Sequence, residues 1–197
     1  MVGKQSSTDL RNEAIVGADI YLYDKRREDL DARIHAWINE PEHQDISTRL
    51  GTQEEREERS MVDIWRGGID ETSEALAKEY EQLKETHYFR DSYNDTSLFW
   101  MFGMSWWHLS ENGAIDDNGI MRGEDIRLLL EHYYETKDEV LSDSAIQKWF
   151  NDKSEKGQMS KDETWETVAG YFRAKGDHFE QFCKRTLEND GHWECSV

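Results

Sequence analysis

The sequence contains a single proline, Pro41, among 197 residues. A β-sandwich or barrel needs turn residues at short, regular intervals, and this chain has too few of them. It contains two cysteines, Cys183 and Cys195. That number excludes a disulfide framework for most of the chain and fits a reducing compartment. No apolar run reaches the ~18 residues of a bilayer-spanning helix. Met1 to Leu10 has no apolar core of the kind a secretory signal carries. Basic clusters are also scarce, the longest run being Lys25-Arg26-Arg27. Contact with nucleic-acid phosphates or an anionic membrane surface depends on such clusters, so both are disfavoured. These absences predict a soluble cytoplasmic protein.

What is abundant is acid. The chain has 43 Asp and Glu against 24 Lys and Arg, a net charge of −19. Mean hydropathy is −0.95, yet 12% of residues are aromatic and eight are Trp. Disordered chains are poor in aromatics. A chain of this length can bury roughly 70% of its unfolded surface. The composition therefore predicts a folded domain.

Apolar residues recur mainly at helical spacing, which predicts a mainly α fold. We expect a compact single-domain bundle of six to eight helices over residues 9–188. A mobile N-terminus (1–8) and a polar C-terminal tail (189–197) flank it. Leu10, Ala14, Ala18, Tyr21 and Leu22 fit one helical face, although Asp19 to Tyr23 also reads as a strand. Leu30, Ile34, Trp37 and Ile38 continue the helical pattern up to Pro41. Thr52 and Glu55 have capping-box spacing ahead of Met61, Val62, Ile64 and Trp65. Asp70 can cap a helix bearing Leu76, Tyr80, Leu83 and His87. Tyr88 to Asp95 reads as a polar, aromatic loop. Leu98 to Leu109 then reads as one Trp-rich helix, apolar nearly all round and hence central to the core. Ile126, Leu129, Leu130 and Tyr133 mark the next helix. Ile146, Trp149 and Phe150 mark a short one after Ser142 or Ser144. Trp165, Val168, Ala169, Phe172, Phe179, Phe182 and Cys183 mark the last.

Motifs of catalysis or metal binding are weak. His178, Cys183, His192 and Cys195 lie close in sequence, but only His192-x-x-Cys195 has zinc-ligand spacing. The His-x-x-Glu pairs His108/Glu111 and His132/Glu135 reverse the order that di-iron bundles use. Asp116, Asp117 and Asn118 before Gly119 resemble a calcium loop, yet Ala114 and Asp125 occupy its first and twelfth positions, where Asp and Glu are wanted. Gly103-Met104-Ser105 lacks the second glycine of a nucleophile elbow. The reading is no metal, no cofactor and no catalytic residue.

The acidic surface carries the functional reading. Clusters occur at Glu40–Asp45, Glu54–Glu58, Glu135–Asp143 and Asp162–Glu166. A compact domain of this length has a radius of gyration of roughly 16 Å and a diameter near ~40 Å. Duplex DNA of that length carries about 24 phosphates, the same order as the net charge. The sequence therefore predicts a non-enzymatic acidic interaction protein that occupies the basic site of a nucleic-acid-binding partner, in its sharpest form as an inhibitory DNA mimic. Glu54, Glu55, Glu57 and Glu58 form the patch expected to touch the partner. The alternative is a small-molecule-binding domain or enzyme. Its pocket would be lined by Tyr88, Arg90, Asp91, Tyr93, Asn94, Trp106 and His108. A simpler role for Arg90 and Asp91 is to satisfy buried backbone groups where the following helix begins.

Overall fold

A computed structural model describes residues 17–40, 70–92, 97–159 and 162–196. Helix dominates these residues, with seven helices among them, and a four-stranded antiparallel sheet accompanies them. The predominance of helix agrees with the apolar spacing. The sheet corrects the purely helical picture.

Short polar side chains set where the helices begin. β1 (Gly17–Tyr23) passes directly into α1 (Lys25–Ile38). Between them, the Asp24 carboxylate accepts the Arg26 and Arg27 amides at 3.0 and 3.1 Å, satisfying donors that a helix start leaves free. α2 (Glu71–His87) opens on a reciprocal capping box. Asp70 accepts the Ser73 amide at 2.7 Å, and the Ser73 hydroxyl accepts the Asp70 amide at 3.0 Å. Leu30, Ile34, Trp37 and Ile38 of α1 meet Leu76, Ala77 and Leu83 of α2 in a small separate core, on the faces their spacing predicts. The expected helix after Thr52 lies outside the described residues, as does the N-terminal segment 1–8.

α2 runs straight into β2 (Tyr88–Ser92), where a loop was expected. β2 pairs with β1 in the register Tyr88↔Tyr21 and Phe89↔Ile20. The signal for a strand was the alternation of Phe89 and Asp91, which are buried, with Tyr88 and Arg90, which are less so. The sheet order is β2-β1-β4-β3. β3 is the short pair Ile120–Met121, and β4 is His192–Ser196.

The Trp-rich segment is not one helix. It divides into α3 (Leu98–Met101) and α4 (Trp106–Glu111). Gly103 stands between them with φ +71°, a left-handed conformation that costs glycine little. The Gly103 amide donates to the Trp100 carbonyl at 3.1 Å and the Met104 amide to the Phe99 carbonyl at 2.8 Å. These two bonds are the Schellman closure that ends a helix at a glycine. Ser105 then caps α4 through the His108 amide at 3.1 Å. Breaking the helix rotates its aromatics apart. Phe99 and Trp106 are buried, whereas Trp100 and Trp107 are 49% and 70% exposed.

The principal core lies between the inner sheet face and α5 (Gly123–Val140), α6 (Asp143–Glu155) and α7 (Trp165–Glu188). Ala18, Ile20 and Leu22 of β1, Phe89 of β2 and Trp193 of β4 meet Phe172, Phe179 and Phe182 of α7. Phe89, Phe182 and Trp193 stack in sequence at 5.9 and 5.3 Å between centroids. The polar tail expected after residue 188 is thus corrected. Its strand β4 pairs with β1 on one side and β3 on the other, and Trp193 is fully buried with its indole N–H on Thr186 Oγ1 at 2.8 Å. Gly191 makes that return possible, since a Cβ there would come within 2.8 Å of Leu22 Cδ1 and 2.9 Å of the Tyr23 carbonyl.

Trp193→Ala is expected to cost about 3–5 kcal/mol, the usual penalty for emptying a buried aromatic site. Urea unfolding measures it. A loss below ~1 kcal/mol, as for a surface substitution, would contradict a core role for β4.

Candidate functional site

The pocket reading centred on Asp91, which is fully buried. Five donors converge on its carboxylate. Oδ1 accepts the Leu98 amide at 2.9 Å and pairs with Lys175 Nζ of α7 at 2.6 Å. Oδ2 accepts the Ser97 hydroxyl at 2.7 Å, the Phe99 amide at 3.3 Å and the Trp106 indole N–H at 3.0 Å. A carboxylate offers about four lone-pair sites, so the group is saturated from within the chain. Two of the donors are first-turn amides of α3, the backbone role that the simpler reading gave Asp91.

The other members of that set separate. Trp106 joins Asp91 as just described. Tyr88 and Arg90 project from the opposite sheet face, where the Tyr88 hydroxyl bonds Asp19 and Arg90 Nε stands 3.7 Å from the same carboxylate. Arg90 is exposed and makes no contact in the Asp91 cluster. His108 is exposed on α4. Tyr93 and Asn94 lie outside the described residues, as do Glu54, Glu55, Glu57 and Glu58.

A second buried polar group joins α1 to α2. His87 Nε2 lies 3.1 Å from Asp24 Oδ2, and His87 Nδ1 lies 2.8 Å from Thr86 Oγ1. Arg185 of α7 donates to the Thr86 carbonyl at 2.8 Å. Burial pushes His87 below the ordinary imidazole value, against the opposing pull of Asp24. The Nε2–H tautomer fits the Asp24 contact, since a carboxylate can only accept from the ring.

Among the described residues, no three His, Cys, Asp or Glu side chains come together to hold a metal. Cys183 is buried in the core, where burial raises its thiol well above the ordinary value. Asp116 Oδ1 accepts the Asn118 and Ile120 amides at 2.9 and 3.0 Å, closing the turn that leads into β3. His132 Nε2 stands 3.2 Å from the Phe102 carbonyl, which fixes it as a donor.

The acidic surface is uneven. Glu124, Leu128, Glu131, Glu135 and Asp138 succeed one another at helical spacing along one exposed face of α5. Glu124, Glu131, Glu135 and Asp138 pair with no cation among the described residues. The exposed faces of the other long helices are mixed. α1 carries Lys25, Arg26 and Arg33, α2 carries Lys78 and Lys84, α6 carries Lys148 with Lys156 capping its end, and α7 carries Arg173 and Lys184. On α5 Arg127 stands beside the ridge, while Lys137 is engaged by Glu180 at 3.0 Å. Sequence reasoning noted only the 135–143 cluster. The 3.6-residue period that marked the core face of α5 also marks this opposite face.

Lys175→Met leaves the Asp91 charge buried without its counter-ion and is expected to cost about 3–5 kcal/mol. Asp91→Ala should cost a similar amount, and the double variant should cost clearly less than the two single losses together. Additivity in denaturant titrations would show that the pair does not act as a unit. For His87, the depressed imidazole means that the unfolded chain takes up its proton first as pH falls. Stability should be fully present above the ordinary value of ~6.5 and decline below it. Thermal melts between pH 7.5 and 5.5 should show a shallower decline for His87→Gln than for the parent chain.

Comparison with family models, curated proteins and solved structures finds no match, so the functional reading rests on the chemistry of this chain alone.

Proposed function

We propose that this chain is a non-enzymatic acidic interaction protein that occupies the basic site of a partner, and that the unpaired carboxylate ridge of α5 is a principal contact. One observation supports this above others: on α5, unlike the other long helices, exposed acid runs almost uninterrupted by base. Glu124 and Asp138 lie 14 positions apart, about 21 Å along a helix. One DNA strand carries about six phosphates over that length. α5 presents Glu124, Glu131, Glu135, Asp138 and the adjacent Glu139, a comparable linear charge. A nucleic-acid-binding partner is therefore the fitting class. Glu54, Glu55, Glu57 and Glu58 extend the proposal as a second patch. The cytoplasm, where such partners are accessible, is the compartment proposed. Among the described residues, no helix is long and apolar enough to cross a membrane.

The saturation of Asp91 supports this reading over the alternative small-molecule site at residues 88–108. A group that already accepts five internal donors has little capacity left for a ligand.

The test combines salt, charge reversal and competition. Basic DNA-binding proteins captured on the immobilised chain should release as salt rises, and duplex DNA should compete for them. The double variant Glu124→Lys, Glu131→Lys should weaken capture by at least about tenfold. Capture unaffected by salt, by duplex DNA and by the double variant would sink the proposal.

A further inference from the structure

The start of α1 and the end of α2 meet at two buried ionisable groups, Asp24 at 6% and His87 at 2% exposed. The oxygens of Asp24 divide their partners. Oδ1 accepts the Arg26 and Arg27 amides that begin α1, and Oδ2 faces His87 Nε2 at 3.1 Å. The amide bonds favour the ionised carboxylate, which can only accept. Nε2 therefore carries a hydrogen whatever the charge of the ring.

The other ring nitrogen is the variable one. Nδ1 lies 2.8 Å from Thr86 Oγ1, and the same oxygen lies 3.1 Å from the Leu83 carbonyl. A hydroxyl has one hydrogen and two lone pairs, so it cannot donate to both. Two arrangements satisfy the group. In the first, the Thr86 hydroxyl donates to Nδ1 and the ring is neutral. In the second, it donates to the Leu83 carbonyl, and Oγ1 accepts from a protonated Nδ1. Both ring nitrogens are paired in each arrangement. Passing from the first to the second adds one proton at Nδ1 and rotates one hydroxyl. Without an acceptor at Nδ1, a buried imidazolium would leave one N–H unpaired, at considerable cost.

The surrounding charges set the balance. Asp24 faces the ring from the start of α1 and favours the cation. Arg26 in the first turn of α1 and Arg185 of α7 oppose it. Arg185 is held close by its bond to the Thr86 carbonyl at 2.8 Å. Burial is the largest influence and also disfavours the cation. The neutral arrangement therefore prevails at neutral pH, and the charged one belongs to acid. The location gives this a consequence. α1 and α2 share a core of their own, and the contact of Asp24 with His87 joins the first residue of that pair to its last.

We propose that Asp24, His87 and Thr86 form a proton-operated clamp at the base of the α1–α2 pair. Uptake of a proton at Nδ1 turns the Thr86 hydroxyl to the Leu83 carbonyl and converts the bond between His87 and Asp24 into an ion pair, so the base stays closed in mild acid. Stability that begins to fall below ~6.5 stops falling through this group once His87 is protonated in the folded chain. The clamp operates whatever the acidic surface binds.

Nitrogen-15 NMR of the imidazoles in the full chain, between pH 7.5 and 4.5, tests this. At the upper end His87 should be the Nε2–H tautomer with Nδ1 bare. At the lower end both nitrogens should carry hydrogen while the amides of α1 and α2 keep their native shifts. Thr86→Val keeps the side-chain shape and removes the hydroxyl. A hydrogen bond from a cation is stronger than one to a neutral ring, so the His87 midpoint in this variant should fall by roughly one pH unit, a tenfold loss of proton affinity. Thr86→Ser should restore it. Asp24→Asn keeps a capping side chain and removes the charge, and should also lower the midpoint. A neutral ring with its hydrogen on Nδ1 would overturn the proposal. So would a midpoint unmoved by Thr86→Val, no proton uptake by pH 4.5, or uptake only as the native shifts of α1 and α2 collapse. The tautomer and the coupling of uptake to unfolding are read on the parent chain, so they decide the matter even where Thr86→Val does not fold.

Discussion

One carboxylate fixes the relation of sheet to helices. Asp91 leaves β2 on its inner face and meets the first turn of α3, the indole of α4 and the ammonium of α7. No apolar residue could replace it without leaving amides and an indole N–H unsatisfied at a site that water does not reach. Such groups cost ~1–3 kcal/mol each. The charge is itself expensive to bury, and Lys175, whose side chain is 9% exposed, offsets that cost at 2.6 Å. The arrangement is directional in a way that hydrophobic contact is not. It sets where α3 starts and which face of α4 turns inward, and it ties α7 beneath β2. The stacked rings of Phe89, Phe182 and Trp193 can then pack in one way.

The helices were legible because each repeats its apolar positions over three or more turns. Ile126, Leu129, Leu130 and Tyr133 are all buried on α5, and Leu30, Ile34, Trp37 and Ile38 all on α1. The strands were less so, Asp19 to Tyr23 reading as a strand only in the alternative, for reasons that differ. β1 carries Ala18, Ile20 and Leu22 inward with Tyr21 and Tyr23 outward. Two of its outward residues are aromatic rather than polar, and only Asp19 marks that face as polar, so the alternation is partly hidden. β4 alternates in part, with Trp193 buried and Cys195 less exposed than Glu194 and Ser196, but five residues at a polar chain end resemble a tail. Gly103 was the missed signal in the Trp-rich segment. A glycine within an apolar run can be a packing contact or a helix stop, and the serine two residues later, ready to cap a new helix, favoured the stop.

The candidate sites were legible in the same proportion. Asp91 was singled out by its place before an apolar segment, and its structural role followed from the need of α3 for acceptors. Its partner Lys175 could not be found, because it lies 84 positions away and nothing local marks it. Gly176 lies within α7, which runs through it. Its role is close approach to Tyr133 from another helix, a tertiary fact. The ridge on α5 was half visible. The cluster from Glu135 to Asp143 appears as a run, whereas Glu124 and Glu131 join it only when the helix is wound.

The ridge also has a cost that solubility alone does not explain. Like charges three or four positions apart on a helix destabilise it by ~0.2–0.5 kcal/mol per pair. Glu131 with Glu135 and Glu135 with Asp138 are such pairs. Asp138 and Glu139 further oppose the dipole at the helix end, where a cation would be favoured. A chain needing only net charge could spread its carboxylates among lysines, as α6 does with Lys148 and Lys153, and avoid both penalties. On α5 the unfavourable terms persist in the free protein and fall away when positive charge arrives. They therefore raise the differential affinity for a basic surface. Screening by salt diminishes that gain as it diminishes the repulsion, since both have the same Coulombic origin.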